Sequence, residues 1–382
     1  MTRDDNLQRS IGSHADGTTF CLSEGVHRLE SPVIPKQGDA LIGRPGAVLS
    51  GSVVISGWQR DQNAWSSAGS RDPFGHVGGI RCVKGTTTCD ETQDVFLDKQ
   101  RLRRVERRAE VTVGTVYIDR QTNMITIGDD PRSHLLEQAV AFGLVRGDAG
   151  DVTIANLVLE EAANPAQAGA IESRKLQAGY PAGSGWRILD NEVRLNHGVG
   201  LGFADGAVVS GNIVHHQGQL GVSSTGRGSI LTNNEISFNN TAGYSMEWES
   251  GGLKSWRAES TTMTHNYVHD NFGPGLWTDG GNAGMAIEYN KVADNWAGGI
   301  EYELSYDAII GHNEITGNGR RHKGWAWDAG IEVASSGGAG RIEVCDNVLT
   351  GNANGITLID SRGRSMERPT PYGPHTVQNV WV

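Results

Sequence analysis

The chain predicts an all-β solenoid, a parallel β-helix with a small β-rich insertion near its N-terminus, and three repeating features carry that prediction. Asn191, Asn212, Asn234, Asn266, Asn290, Asn313 and Asn347 recur at gaps of 21, 22, 32, 24, 23 and 34 residues, by subtraction of successive positions. Five residues after each stands Asn196, Asn239, Asn271, Asn295, Asn318 or Asn352, with Gln217 replacing Asn once. Gly-apolar dipeptides follow: Gly221-Val222, Gly243-Tyr244, Gly275-Leu276, Gly299-Ile300, Gly330-Ile331 and Gly355-Ile356. A twenty-odd-residue period of short apolar runs and Gly/Asn turns is a solenoid pattern, and Asn at one turn of every coil can stack into a hydrogen-bonded ladder. Leu is sparse at the repeating positions and no helical stretch follows each strand, which sets aside a leucine-rich repeat.

The elements follow in chain order. Residues 1–56 read as an N-terminal cap and first coils, with Leu29, Val33, Ile34, Leu41, Ile42, Val48 and Leu49 set between Gly and Pro turns. Residues 57–140 break the period and read as the β-rich insertion, with strands at 94–97, 111–119 and 123–127. Residues 141–361 are the main helix. Residues 362–382 read as an Arg- and Pro-containing loop, then a strand at Thr376–Val382 that opens another coil. On this reading the chain stops in mid-coil, which calls for truncation or some other cover of the last strand.

Composition narrows the function. With 382 residues, 53 Gly and 37% hydrophobic residues, one elongated body accounts for the length. A formal charge of −11 points away from nucleic acid and anionic membrane as partners and mildly away from a strongly polyanionic substrate, which leaves a neutral or lightly charged polysaccharide or oligosaccharide open. No run of 18 apolar residues is present, and the polar start Met1-Thr2-Arg3-Asp4-Asp5 carries no signal peptide; an extracellular protein given without its leader is the expectation. Of four cysteines, Cys82 and Cys89 bracket a plausible hairpin tip where a local disulfide is open, while Cys21 and Cys345 read as buried core thiols. No spacing suggests zinc.

The solenoid signature resembles the right-handed parallel β-helix of pectate-lyase-like proteins. Aligning coils on the Gly-apolar dipeptide and alternating in and out gives a first outward row of Ser223, Ser245, Trp277, Glu301, Glu332 and Thr357. The second row is Thr225, Glu247, Asp279, Glu303, Ala334 and Ile359. Stacked like charges repel, so a row of carboxylates interleaved with Trp points to a saccharide groove or a cation site rather than to fold stability. The two long gaps hold loops around Trp248–Arg257 and Arg320–Asp328, expected on opposite sides of the row, with Trp248, Trp327 and Arg321 facing sugar.

Asp279 and Glu303 fall at equivalent positions of adjacent coils, with backbones about 4.8 Å apart. Their carboxyl groups then suit the roughly 5–5.5 Å separation of a retaining glycosidase pair. The run Gly252-Leu253-Lys254, Asn266, Gly275-Leu276-Trp277-Thr278-Asp279 and then Glu303 resembles glycoside hydrolase family 120. That resemblance implies Asp279 as nucleophile and Glu303 as acid/base. On the residues' own placement Lys254 would pair with Asp279 or bind a hydroxyl, and Glu247, Trp248, Trp277, Glu301 and Trp327 would shape subsites. Ser255-Trp256 stands where that family has a His after the Lys. The run Glu247-Trp248-Glu249 with Lys254-Ser255 is similar to polysaccharide lyase family 6. It implies a Ca²⁺-dependent lyase or epimerase, with Glu247 and Glu249 as ligands and Lys254 as base. Without that reading no cofactor is expected. A third alternative is a non-catalytic carbohydrate-binding β-helix.

Overall fold

The computed structural model describes residues 1–2, 5–69, 81–174, 182–361, 363–364 and 371–382. Among these, three long parallel sheets run the length of the molecule. Sheet one has eleven strands from Thr19–Leu22 to Val380–Trp381, sheet two has ten from Gly25–Arg28 to Val348–Thr350, and sheet three has nine from Val145–Arg146 to Asn354–Ile359. Each coil gives one strand to each sheet, and inward residues stack in register. On sheet one the column Ile154, Ile188, Val209, Leu231, Met263, Ile287, Ile310 and Val344 is buried throughout. Burying such columns on every face is what a single coil could not do alone.

The turn from sheet one to sheet two is two residues long, for example His265-Asn266 and Tyr289-Asn290. The first residue takes the left-handed conformation, with φ of 56° at both His265 and Tyr289. The second is the ladder Asn. Asn266 Oδ1 accepts from the backbone N of Asn234 at 3.1 Å and from its Nδ2 at 2.9 Å, and Asn266 donates in turn to Asn290 Oδ1 at 3.0 Å and to the Leu231 carbonyl at 3.0 Å. A second ladder at the turn from sheet two to sheet three runs through Gln217, whose Oε1 accepts from Asn196 Nδ2 at 3.1 Å. Both ladders satisfy backbone groups that the tight turns would otherwise strand in the interior.

The insertion leaves the helix after the sheet-two strand Ala47–Ser50 and returns at Val145. It forms a five-stranded and a four-stranded sheet around its own apolar core, which includes Val95, Val116, Ile118, Ile125 and Ile127. Cys82 and Cys89 form a disulfide within it. Residues 70–80 of the insertion lie outside the described residues. At the N-terminal end a helix, Leu7–Ser13, is capped by Asn6 and buries Leu7 and Ile11 in the core beside Phe20 and Leu22.

Cys21 and Cys345 are not core thiols: Cys21 is exposed and Cys345 half-buried. Alternation explains it, because Phe20 and Leu22, and likewise Ile342 and Val344, take the inward positions and turn the cysteines out. At the other end Val348, Leu358 and Trp381 are 62%, 51% and 62% exposed. Val380–Trp381 pairs in parallel with Ile342–Cys345, and of the loop before it residues 362 and 365–370 lie outside the described residues.

Candidate active site

The outer face of sheet three carries the chemistry. Its first outward row is Ser223, Lys254, Trp277, Glu301, Glu332 and Thr357, neighbour to neighbour in register. The second contains Trp256 opposite Asp279, then Glu303, Ala334 and Ile359. Ser245 and Glu247 therefore do not belong to these rows; Lys254 and Trp256 hold their places. Two Gly-apolar dipeptides compete in that coil, and the strand is Gly251–Glu259, built on Gly252-Leu253. Gly243-Tyr244 belongs instead to the loop before it, where Tyr244 is buried and its hydroxyl lies 3.2 Å from His197 Nε2.

The same shift moves the loops. Residues 238–250 and 317–328 both precede their sheet-three strands, so the two walls stand on one side of the row rather than on opposite sides. Together with Arg364 from the C-terminal segment they enclose a cavity of about 500 Å³. Asp279, Glu303, Lys254, Glu247, Glu249, Trp248, Trp277, Glu301 and Trp327 all line it. Arg321 does not; it faces away, its guanidinium 5.3 Å from the centre of the Trp296 ring. Five lining residues have no counterpart among the sequence candidates: Arg364, His322, Met246, Ala297 and Gly324.

Lys254 is the hub. Its Nζ lies 2.9 Å from Asp279 Oδ2, 3.1 Å from Glu249 Oε1 and 3.5 Å from the centre of the Trp277 ring, and it donates to the Trp248 carbonyl at 3.1 Å. Burial works against its charge, but Glu249 and Asp279 outweigh burial and hold the ammonium above its ordinary range. An amine held charged in this way is unsuited to act as a base. Glu249 is in turn raised by burial despite Lys254.

The Trp277 indole N–H donates to Glu303 Oε2 at 3.0 Å, and Arg364 binds Glu303 Oε1. Burial and then Asp279 push the Glu303 carboxyl above the usual carboxylate range, with Arg364 and the indole N–H acting against them. Glu301, beside it, is pushed far up by burial and by Glu303, although the Gly298 N–H donates to it at 3.1 Å. Glu332, fully buried one coil on, is pushed up to about 11 by burial, Glu301 and Glu303. His322 is raised chiefly by its 2.9 Å hydrogen bond to Asp328.

Glu247 and Glu249, the two Ca²⁺ ligands expected on the lyase reading, have different neighbours. Glu249 faces Lys254, whereas Glu247 is exposed and lies 3.8 Å from His322. Among the described residues no three His, Cys, Asp or Glu side chains are grouped to hold a metal ion.

A family profile described as "Right handed beta helix region" matches residues 180–338. The fold is similar to that of XylC, solved in complex with xylose: TM-score 0.72 at 16% identity, covering 89% of this chain and 66% of that one. It is also similar to a structure described as a glycoside hydrolase, with TM-score 0.55 at 9% identity, covering 90% of this chain and 88% of that one. The chain thus spans 66% of the length of XylC. No curated protein matches the chain.

Proposed function

We propose that this right-handed parallel β-helix is a carbohydrate-active enzyme that hydrolyses a glycosidic bond with retention of configuration. One observation carries the reading: two carboxylates from adjacent coils, Asp279 and Glu303, share a cavity. Asp279 is ion-paired to a buried lysine, and Glu303, despite its own bond to Arg364, is pushed toward its protonated form by burial and by Asp279. A carboxyl held toward its protonated form beside a second, cation-paired one suits an acid and a nucleophile.

In the first step Asp279 Oδ attacks the anomeric carbon as the glycosidic C–O bond breaks, and the Glu303 proton passes to the departing oxygen. In the second step Glu303, now ionised, takes a proton from water. The resulting oxygen nucleophile attacks the same carbon and expels Asp279. Lys254 holds Asp279 in place, and the Trp277 N–H fixes the orientation of Glu303. Trp248 and Trp327 offer aromatic faces to the sugar. The charged state of Lys254 weighs against the lyase reading, which needs it as a base. The fold likeness to XylC, solved with xylose, makes xylosides the first substrates to try. The Cys82–Cys89 disulfide suits an extracellular or periplasmic setting.

The test is hydrolysis of a panel of xylans, arabinans, glucans, alginate and pectins, with and without EDTA, following reducing ends and absorbance at 235 nm together. New reducing ends without absorbance, lost by about 10³-fold or more in Asp279→Asn and formed with the starting anomeric configuration by NMR, support the proposal. EDTA-sensitive absorbance would replace it with an eliminase.

A further inference from the structure

We infer that Trp256 and Arg257 form a second sugar subsite beside Asp279, on the glycone side, for the next pyranose ring of an oligosaccharide. The inference rests on the hydrolase reading above. Trp256 pairs in register with Asp279 one coil earlier. It stands two residues after Lys254, so both side chains leave the same outer face of sheet three. Lys254 is buried in the cavity, whereas the Trp256 side is open, 44% exposed and outside the enclosed volume.

The backbone at this point departs from the regular ladder. The strands Leu220–Arg227 and Gly251–Glu259 pair Ser224 with Ser255, then Gly226 with Ala258, so two residues, Trp256 and Arg257, oppose Thr225 alone. Arg257 takes φ of 51°, a left-handed conformation that a side-chain-bearing residue rarely adopts. A bulge of this kind re-aims side chains and recurs beside active sites. Here it sets the Arg257 guanidinium carbon 4.1 Å from the centre of the Trp256 ring. An indole backed by a guanidinium offers an apolar surface for the C–H face of a pyranose, with N–H donors at its rim for hydroxyls.

The order of the row fixes which sugar would sit there. Trp256, Asp279 and Glu303 come from three successive coils. The leaving oxygen must face Glu303, so the ring attacked by Asp279 extends toward Trp256. A saccharide continuing beyond that ring at its non-reducing side then meets the bulge. The site is therefore built for a glycone of at least two sugars.

The experiment compares kcat/KM for p-nitrophenyl β-xyloside and p-nitrophenyl β-xylobioside in the full chain and in Trp256→Ala, Trp256→Phe and Asp279→Asn. The parent protein is expected to favour the bioside at least tenfold, Trp256→Ala to reduce that ratio about tenfold, and Trp256→Phe to retain most of it. A ratio unmoved by Trp256→Ala, with cleavage still dependent on Asp279, overturns the subsite alone. Cleavage that survives Asp279→Asn overturns the hydrolase reading and the subsite with it, and cleavage of neither substrate overturns the subsite as one for β-xylosides while the polysaccharide panel decides the hydrolase reading.

Discussion

Lys254 and Asp279 form a buried ion pair of 2.9 Å, with the lysine side chain only 5% exposed and Glu249 completing a carboxylate–ammonium–carboxylate bridge. Removing the cation leaves two acids facing each other with no compensating charge, a change that costs about 3–5 kcal/mol in buried pairs. Lys254→Met is therefore expected to lower the urea unfolding midpoint and to cut kcat/KM on an aryl glycoside by about 10²-fold or more. Unchanged stability together with unchanged kinetics would contradict the role given to this residue.

In the proposed mechanism the acid limb belongs to Glu303. Its carboxyl is raised by burial and by Asp279, so the protonated form that donates to the leaving group persists above the ordinary carboxylate range. Activity is then lost as pH rises through that raised value. Arg364 acts in the opposite direction, favouring the ionised form. Arg364→Met is expected to move the alkaline limb of the kcat/KM profile to higher pH, and a limb that moves to lower pH would refute the assignment.

Glu332 contributes to stability with an unusual sign. Unfolded, it ionises near 4.5; folded, it is pushed up to about 11. Between those values the unfolded chain releases a proton that the folded chain keeps, so its contribution disfavours the fold progressively as pH rises from about 4.5. Among the described residues neither of its buried carboxyl oxygens has a hydrogen-bond partner. Glu332→Gln should raise Tm by about 2 °C or more at pH 8 and have a smaller effect at pH 4, read by thermal scans across that range.

The inner ladder is open to the same kind of test. Asn266→Ala removes the acceptor of both Asn234 N and Asn234 Nδ2. Asn234 Nδ2 keeps the Val209 and Thr232 carbonyls, both at 3.0 Å, but the buried Asn234 N–H loses its acceptor, at a cost of about 1–3 kcal/mol. The urea midpoint should fall accordingly, whereas His265→Ala, on the outer side of the same turn, should change it much less.

The insertion reaches the wall of the cavity through its disulfide loop. Cys82 bridges Tyr244 in antiparallel fashion, Val83 N donates to the Gly243 carbonyl at 2.9 Å, and Ser245 N donates to the Arg81 carbonyl at 2.8 Å. Four residues after Tyr244, and 6.1 Å from it ring to ring, stands Trp248, whose carbonyl accepts from Lys254. Reducing Cys82–Cys89, or replacing both with Ser, should raise KM severalfold with a smaller change in kcat. A loss confined to kcat would mean the clamp acts on the chemistry rather than on the wall.

Much of this was legible in the sequence, for a physical reason. Residues that recur once per coil, such as the ladder from Asn191 to Asn347 and the inward residues Leu276 and Ile300 of the Gly-apolar dipeptides, are fixed by local turns and strand alternation. Trp277, Asp279, Glu301 and Glu303 could be placed because their coils have no extra residues between sheets two and three. The coil that precedes them could not, since Gly243-Tyr244 and Gly252-Leu253 fit the pattern equally and are separated by tertiary contacts, Tyr244 with His197 and Cys82, and Leu253 with Val222 and Leu276. Arg364 reaches Glu303 across 61 residues from a non-repeating segment, and no periodic signal marks such a contact.

The turn between sheets one and two never exceeds two residues in the main helix, whereas the turn between sheets two and three admits the insertion, the 238–250 loop and the 317–328 loop. The molecule therefore separates what must not vary from what is free to. One corner keeps the coils in step. The other is an open bay, where added chain leaves strand pairing untouched and changes only what surrounds the carboxylates. Grafting a different loop at 238–250 or 317–328 is a route to a new sugar preference in which Asp279 and Glu303 need not move.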